Sequence, residues 1–319
     1  MTPESLDRYS RGTSAGRALR TLRAGEVLDE ALHTYRILAP ALLRRSAVPA
    51  VFVLASVLFW TRAFLPRLFT TNSPGDVSAQ VVEAAIILAV GLLVGGPLLV
   101  FGVSEATLQA VALVTPYLER RAVDEIGAAS AARTAFPRTL GAGLWAFLVA
   151  GSVPAFGFGM MALGGLLAEN NEAAGWVALF GVFALLLGLI FSLWAAGAYA
   201  LIPAATLRGD SVRQACRRSR ELMKGTARIP GGYGTVWGVY GVLFFAALAE
   251  WTGFALALNY VPFAAIAPGG GLFAEALSLA VPFVVAWTLL PFWGTAVAVI
   301  DIERRVRKEG YDVELLARS

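Results

Sequence analysis

Six long apolar runs, separated by polar turns, set the plan of this chain. They cover about Ala47–Leu65, Val77–Leu118, Leu140–Leu167, Trp176–Leu207, Tyr233–Leu258 and Leu272–Ile300. The runs do not alternate polar with apolar residues, so they predict helices and not barrel strands. About 20 apolar residues in helical form cross the hydrocarbon core of a bilayer. A helix that is apolar on every side has no face for water. The pattern predicts an all-α, polytopic membrane protein. Pro97, Pro154, Pro203, Pro282 and Pro291 lie inside the runs. Each is expected to kink its helix, because proline removes a backbone donor and crowds the preceding turn.

The polar segments between the runs carry a second pattern. Leu28, Ala31, Leu32, Tyr35, Leu38 and Ala39 recur at helical spacing, with Glu26, Asp29 and Glu30 at the start and Pro40 as the stop. Asp124–Phe136 is a weaker, alanine-rich version. Val212, Ala215, Cys216, Ser219, Leu222 and Met223 make the apolar face of a third segment, and Arg213, Arg217, Arg220 and Lys224 another face. Asp210 or Ser211 can cap its start and Gly225 its end. This third pattern is that of a helix lying on an anionic membrane surface. The chain then divides into a flexible basic tail over 1–21, a membrane domain over 22–300 and a charged helix with its tail over 301–319. The membrane domain reads as three units, each an interfacial helix followed by a two-span hairpin. LRAGEVLDEAL near Leu22 and LRGDSVRQACR near Leu207 support a repeat; independent amphipathic connectors are the other reading.

Charge decides the topology. The run from Val77 to Leu118 is 42 residues, roughly 63 Å as a helix and about twice a hydrocarbon core. It is either one long helix or two spans turned at Gly95-Gly96-Pro97. Basic residues favour the cytoplasmic side. Of the 26 Lys and Arg, eight lie up to Arg45, two at Arg62 and Arg67, four from Arg120 to Arg138, seven from Arg208 to Arg228 and five from Arg304 onward. Six spans place 24 of these on the side of both termini, whereas seven spans place eight on one side and 18 on the other. Six spans with both termini cytoplasmic, and one long second helix, follow. The first 45 residues are polar and basic, and no cleavable signal peptide is read there.

Composition agrees: 57% of residues are hydrophobic and 15% charged, against about 25% charged in soluble domains. The 24 Arg against two Lys suggest a GC-rich bacterial genome, and the expected location is the bacterial cytoplasmic membrane. The tail DIERRVRKEGYDVELL continues the sixth span. Arg304, Arg305, Arg307 and Lys308 are placed at anionic headgroups, each contributing about 1 kcal/mol. Gly310 should end the helix as a left-handed cap.

Three stretches carry a resemblance: LRAGEVLDEALHTYR, RRSRELMKG, and the tail with Asp301, Arg304 to Lys308, Glu309, Gly310, Tyr311, Asp312, Leu315 and Leu316. Together they resemble the bacterial family labelled the glycerophosphoryl diester phosphodiesterase membrane domain, over about Leu22 to Ala317. The resemblance implies six spans in a cytoplasmic membrane. The family's name comes from members fused to a hydrolase domain, which this sequence does not contain, so it implies no activity here.

The residues offer little catalytic chemistry. His33 is the only histidine and Cys216 the only cysteine. That rules out a histidine pair, a disulfide framework or a cysteine metal cluster. No phosphate-cradling, His-Glu-x-x-His or Gly-x-Ser-x-Gly motif occurs. No cofactor and no nucleic-acid partner are expected. Glu83, Glu105, Glu250 and Glu275 lie in or at the edges of spans, where a carboxylate is costly and a functional candidate by default. Glu105 with Gln109 is the sharpest case: either the helix has reached the headgroups there, or the pair lies inside the bundle. Gly91–Gly95 and Gly234–Gly238 allow close helix approach, and Trp60, Trp176 and Trp251 fit interfacial belts. The leading expectation is a non-enzymatic scaffold or accessory protein that holds anionic lipid, and a protein partner, at its cytoplasmic face. A small transporter using the glutamates is the alternative, and an intramembrane hydrolase the remote third.

Overall fold

The computed structural model describes residues 22–60, 77–167, 174–225, 232–260 and 270–310; within these, the side chains of 77–89, 165–166, 251, 254–260 and 270–278 are left aside. The expected flexible tail over 1–21, the turn at Ser73-Pro74-Gly75, Arg228 and the residues from Tyr311 onward lie outside the described residues, as do the side chains of Glu83 and Glu275. Among the described residues the chain is all helical. The helices are α1 (Ala24–Leu58), α2 (Val77–Leu118), α3 (Glu125–Leu167), α4 (Ala174–Ala198), α5 (Ile202–Leu207), α6 (Val212–Met223), α7 (Tyr233–Tyr260) and α8 (Gly270–Glu309). Six of these segments are long and apolar enough to cross a membrane, as a multi-pass membrane protein requires.

The long second helix is continuous from Val77 to Leu118. Two of the three polar segments, by contrast, are not separate helices. Pro40 does not stop the first: α1 runs through both Pro40 and Pro49. Pro40 is exposed, so its ring points away from the packed side, and packing along α8 holds the helix despite the lost donor. The buried stripe is Val27, Ala31, Thr34, Leu38 and Leu42, while Leu32 is exposed. Asp124–Phe136 likewise merges into α3, across Pro137. Only α6 stands alone, so of the three separate short helices expected from the sequence one is present.

α8 is the central element. Every residue from Pro291 to Val306 is buried. α1 lies antiparallel along it: Trp287 Nε1 donates to Leu43 O at 2.6 Å, Tyr35 donates to Thr288 O at 3.1 Å, and Arg307 donates to Leu22 O. On its α2 side Gly294 sits so close to Thr107 and Ala110 that an added Cβ would come within 2.4 Å of the Ala110 methyl. The main core gathers Val27, Leu108, Leu113, Leu201, Met223, Val236 and Ile300 around it.

α3 and α4 form an outlying hairpin. An added Cβ on Gly188 would come 2.6 Å from Pro154 N, and one on Gly181 would come 2.5 Å from Met161 N. Their backbones therefore touch where side chains are missing, the small-residue packing that lets apolar helices associate. Ser192 donates to Ala150 O at 2.6 Å across the same seam. The Gly91 and Gly95 pattern instead receives the Trp60 ring, and Gly234 and Gly238 have nothing within 4 Å.

Candidate functional site

The candidate surface is built where α4 stops. Tyr199–Leu201 break the helix just ahead of Pro203. The break leaves Ala198 O and Leu201 N–H without a helical partner. Ser219 of α6 satisfies both: its hydroxyl donates to Ala198 O at 2.8 Å and accepts from Leu201 N at 3.1 Å. Gly209, at φ 100°, turns the chain, and Ser211 starts α6 with its N–H on the Gln214 side chain at 3.1 Å. Ser211 is thus the cap, and Asp210 is not. Gly225 is not a left-handed cap, because Lys224 ends the helix in extended geometry at φ −69° and ψ 131°. Lys308 supplies the missing donors by reaching the Glu221 and Lys224 carbonyls from α8.

The apolar face of α6 is turned into the protein. Ala215, Cys216, Ser219, Leu222 and Met223 are buried against α3, α5 and α8. Burial pushes the Cys216 thiol above its ordinary range, with Arg220 opposing. The outward face is cationic, with Arg213, Arg217, Arg220 and Lys224 all exposed. Arg217 pairs with Glu221 at 2.7 Å. Arg213, Arg220 and Lys224 have no carboxylate within ion-pair distance among the described residues, and Arg220 lies over the Tyr199 ring at 5.9 Å.

The basic run of α8 is arranged differently from α6. Arg304 and Arg305 are buried, with side chains only 4% and 10% exposed, so neither presents itself to a headgroup. A run of charge looks alike in sequence whether it is solvated or paired inside. Here Glu303 lies 3.0 Å from Arg304 and also meets Arg307, and Arg305 meets Glu309 and Glu119. Glu309 reaches Arg218 of α6 at 3.0 Å. Arg208 binds Asp301 at 2.5 Å, with the carboxylate only 2% exposed. Burial works against the Arg208 charge, but Asp301, with Glu309 and Asp210, offsets it and leaves the guanidinium above its ordinary pKa. Gly310 follows α8 at φ 63°, the left-handed end that the sequence anticipates. The run thus ties α1, α2, α5 and α6 to the central helix.

Of the acidic candidates, Glu105 accepts from Gln109 at 3.1 Å and is half-buried. It lies one turn beyond Gly102, which packs on Pro49 and Val53. Glu250 faces Thr288 at 3.5 Å, and Tyr35 donates to the Thr288 carbonyl. The two glutamates are therefore not brought together. His33 is exposed on α1. Among the described residues no three His, Cys, Asp or Glu side chains converge as metal ligands. Comparison with protein families, curated proteins and solved structures finds no match for this chain.

Proposed function

We propose that the chain is a non-enzymatic integral membrane protein that holds anionic phospholipid headgroups on the outward face of α6, and that it serves as a scaffold or accessory protein for a partner at that surface. The observation that carries this reading is the division of α6. Its apolar side is spent on protein, and Arg213, Arg220 and Lys224 point outward without acidic partners among the described residues. A cation near an anionic leaflet contributes about 1 kcal/mol. The excess of Lys and Arg at this end supports a cytoplasmic orientation of both termini, in a bacterial cytoplasmic membrane. The resemblance borne by the tail adds six spans and no activity.

Replacing Arg213, Arg217, Arg220 and Lys224 by glutamine together should lower the anionic lipid that co-purifies in mild detergent; unchanged lipid would contradict the reading. Orientation is tested in a Cys216-free background. An impermeant maleimide on intact cells should label Asn171→Cys and leave Thr13→Cys and Ser319→Cys unlabelled. Transport is a second reading, favoured by one observation: Glu250, Thr288 and Tyr35 meet at the junction of α1, α7 and α8 within apolar sequence. Reaction of Thr288→Cys with a small aqueous thiol reagent would reveal a water path there, whereas a packed junction stays unreactive.

A further inference from the structure

The end of α4 and the start of α7 bring together residues that the lipid reading of α6 does not use. Tyr233, at the start of α7, comes against the end of α4 beside Trp194 and Gly197. Gly197 leaves room for this arrangement: a Cβ there would meet the Tyr233 ring at 3.1 Å and the Trp237 indole nitrogen at 3.9 Å. Trp194 and Trp237 are 40% and 41% exposed, half in and half out of the protein. Beyond them α4 exposes Ile190 and Leu193, and α7 exposes Val242 and Phe244. On the opposite side stands Arg220, over the Tyr199 ring, and Tyr199 and Tyr233 share one apolar cluster. α4 and α7 touch only over a short stretch near this point.

The order along this surface is cation, then amphipathic rings, then bare hydrocarbon. That is the polarity profile of one phospholipid read from phosphate to acyl chain. Trp and Tyr settle at the headgroup level because one part of each ring system is polar and the rest apolar. A guanidinium binds phosphate oxygens through paired, charge-assisted hydrogen bonds. The Tyr199 face beneath Arg220 favours a cation held in that place.

We infer that a single phospholipid occupies the junction of α4, α6 and α7, its phosphate on Arg220, its glycerol region on Trp194 and Trp237, and its chains along the outward faces of α4 and α7. The site rests on the proposed lipid role of α6 and narrows it. Of the four outward cations, Arg220 holds a defined molecule, and the other three meet a diffuse anionic surface. It also marks where the headgroup layer meets the protein.

The test is native mass spectrometry of the full chain, purified in detergent and supplied with phosphatidylglycerol. Wild type should retain one phosphatidylglycerol. Arg220→Gln and Trp237→Leu should each lower that occupancy about tenfold, a loss of about 1.4 kcal/mol. Arg213→Gln and Arg217→Gln should retain it. Retention by both Arg220→Gln and Trp237→Leu would overturn the site, as would equal loss in Arg213→Gln and Arg217→Gln. Displacement by millimolar inorganic phosphate would show a free-anion site and also overturn it. The broader lipid reading is separated by the quadruple glutamine variant. If that variant keeps its anionic lipid, the broader reading fails. If it loses lipid while Arg220→Gln does not, only the defined site fails.

Discussion

The α3–α4 hairpin and the central helix α8 hold long apolar helices in place by opposite means. In the most apolar window of α3 only 6% of residues are buried inside the protein, against 61% for α8. The hairpin closes its seam with glycine notches, small alanines, one serine bond and the edge contact of Phe156 with Phe180, and it turns Leu148, Phe183, Leu186 and Ile190 outward. In lipid, such contact between helices gains packing but no hydrophobic burial, so small residues carry the association. α8 instead sinks its last turns into a protein core and ends in charges that are paired with four other elements. The difference teaches that the outer spans are tuned to their solvent, while the basic end is built like a water-soluble core.

That contrast can be broken at either end. The largest effect is expected from Asp301→Ala, which leaves Arg208 charged and partly buried without its partner. Removing one member of a buried pair costs about 3–5 kcal/mol, and the partial exposure of Arg208 places this one near the lower bound. Thermal unfolding in detergent should fall clearly, and the double variant Asp301→Ala, Arg208→Ala should recover part of the loss. Gly188→Ala comes next. Its methyl would press on the backbone of Pro154, an overpacking cost of about 1–3 kcal/mol. Limited proteolysis should then open the hairpin while α8 stays protected.

Ser219→Ala sharpens the comparison at the joint between the two regions. It strands the Leu201 N–H and the Ala198 carbonyl, and an unsatisfied buried group costs about 1–3 kcal/mol. Loss of stability should be accompanied by faster amide exchange over 199–223, and unchanged exchange there would argue that water replaces the hydroxyl. The smallest effect belongs to Leu186→Ala on the outward face of α4, where a change of less than about 0.5 kcal/mol is expected. A loss as large as that of Gly188→Ala would mean that this face is covered by protein.

The six long apolar helices and the single long α2 were legible because long apolar runs are strong, additive signals. The start of α6 was legible to within one residue, from Asp210 and Ser211. What covers an amphipathic stripe was not. Val27, Ala31 and Leu38 have the spacing of a helix lying on a membrane, and the same spacing serves a helix packed on a neighbour. Only the third dimension shows α8 beneath them. Pro40 misled for a related reason, since a local stop signal is weaker than the packing on either side of it. Arg304 and Arg305 read as solvated charge because Glu119 is far away in sequence. Trp194 and Tyr233 gave no signal as a pair, because they belong to different helices and meet only when Gly197 lets those helices close.

Cys216 offers the most direct measurement of how α6 sits. It is the chain's single native thiol, it lies on the apolar face of α6, and its burial raises its pKa and so lowers its thiolate fraction. In membranes at pH 7 a lipid-soluble maleimide and a water-soluble one should both leave Cys216 unmodified until the protein is unfolded. Arg217→Cys in a Cys216→Ser background should react readily with the water-soluble reagent. If α6 lay with its apolar face in lipid, the lipid-soluble reagent would modify Cys216 in the folded protein while the water-soluble one did not, and the docked helix that presents its cations outward would be contradicted.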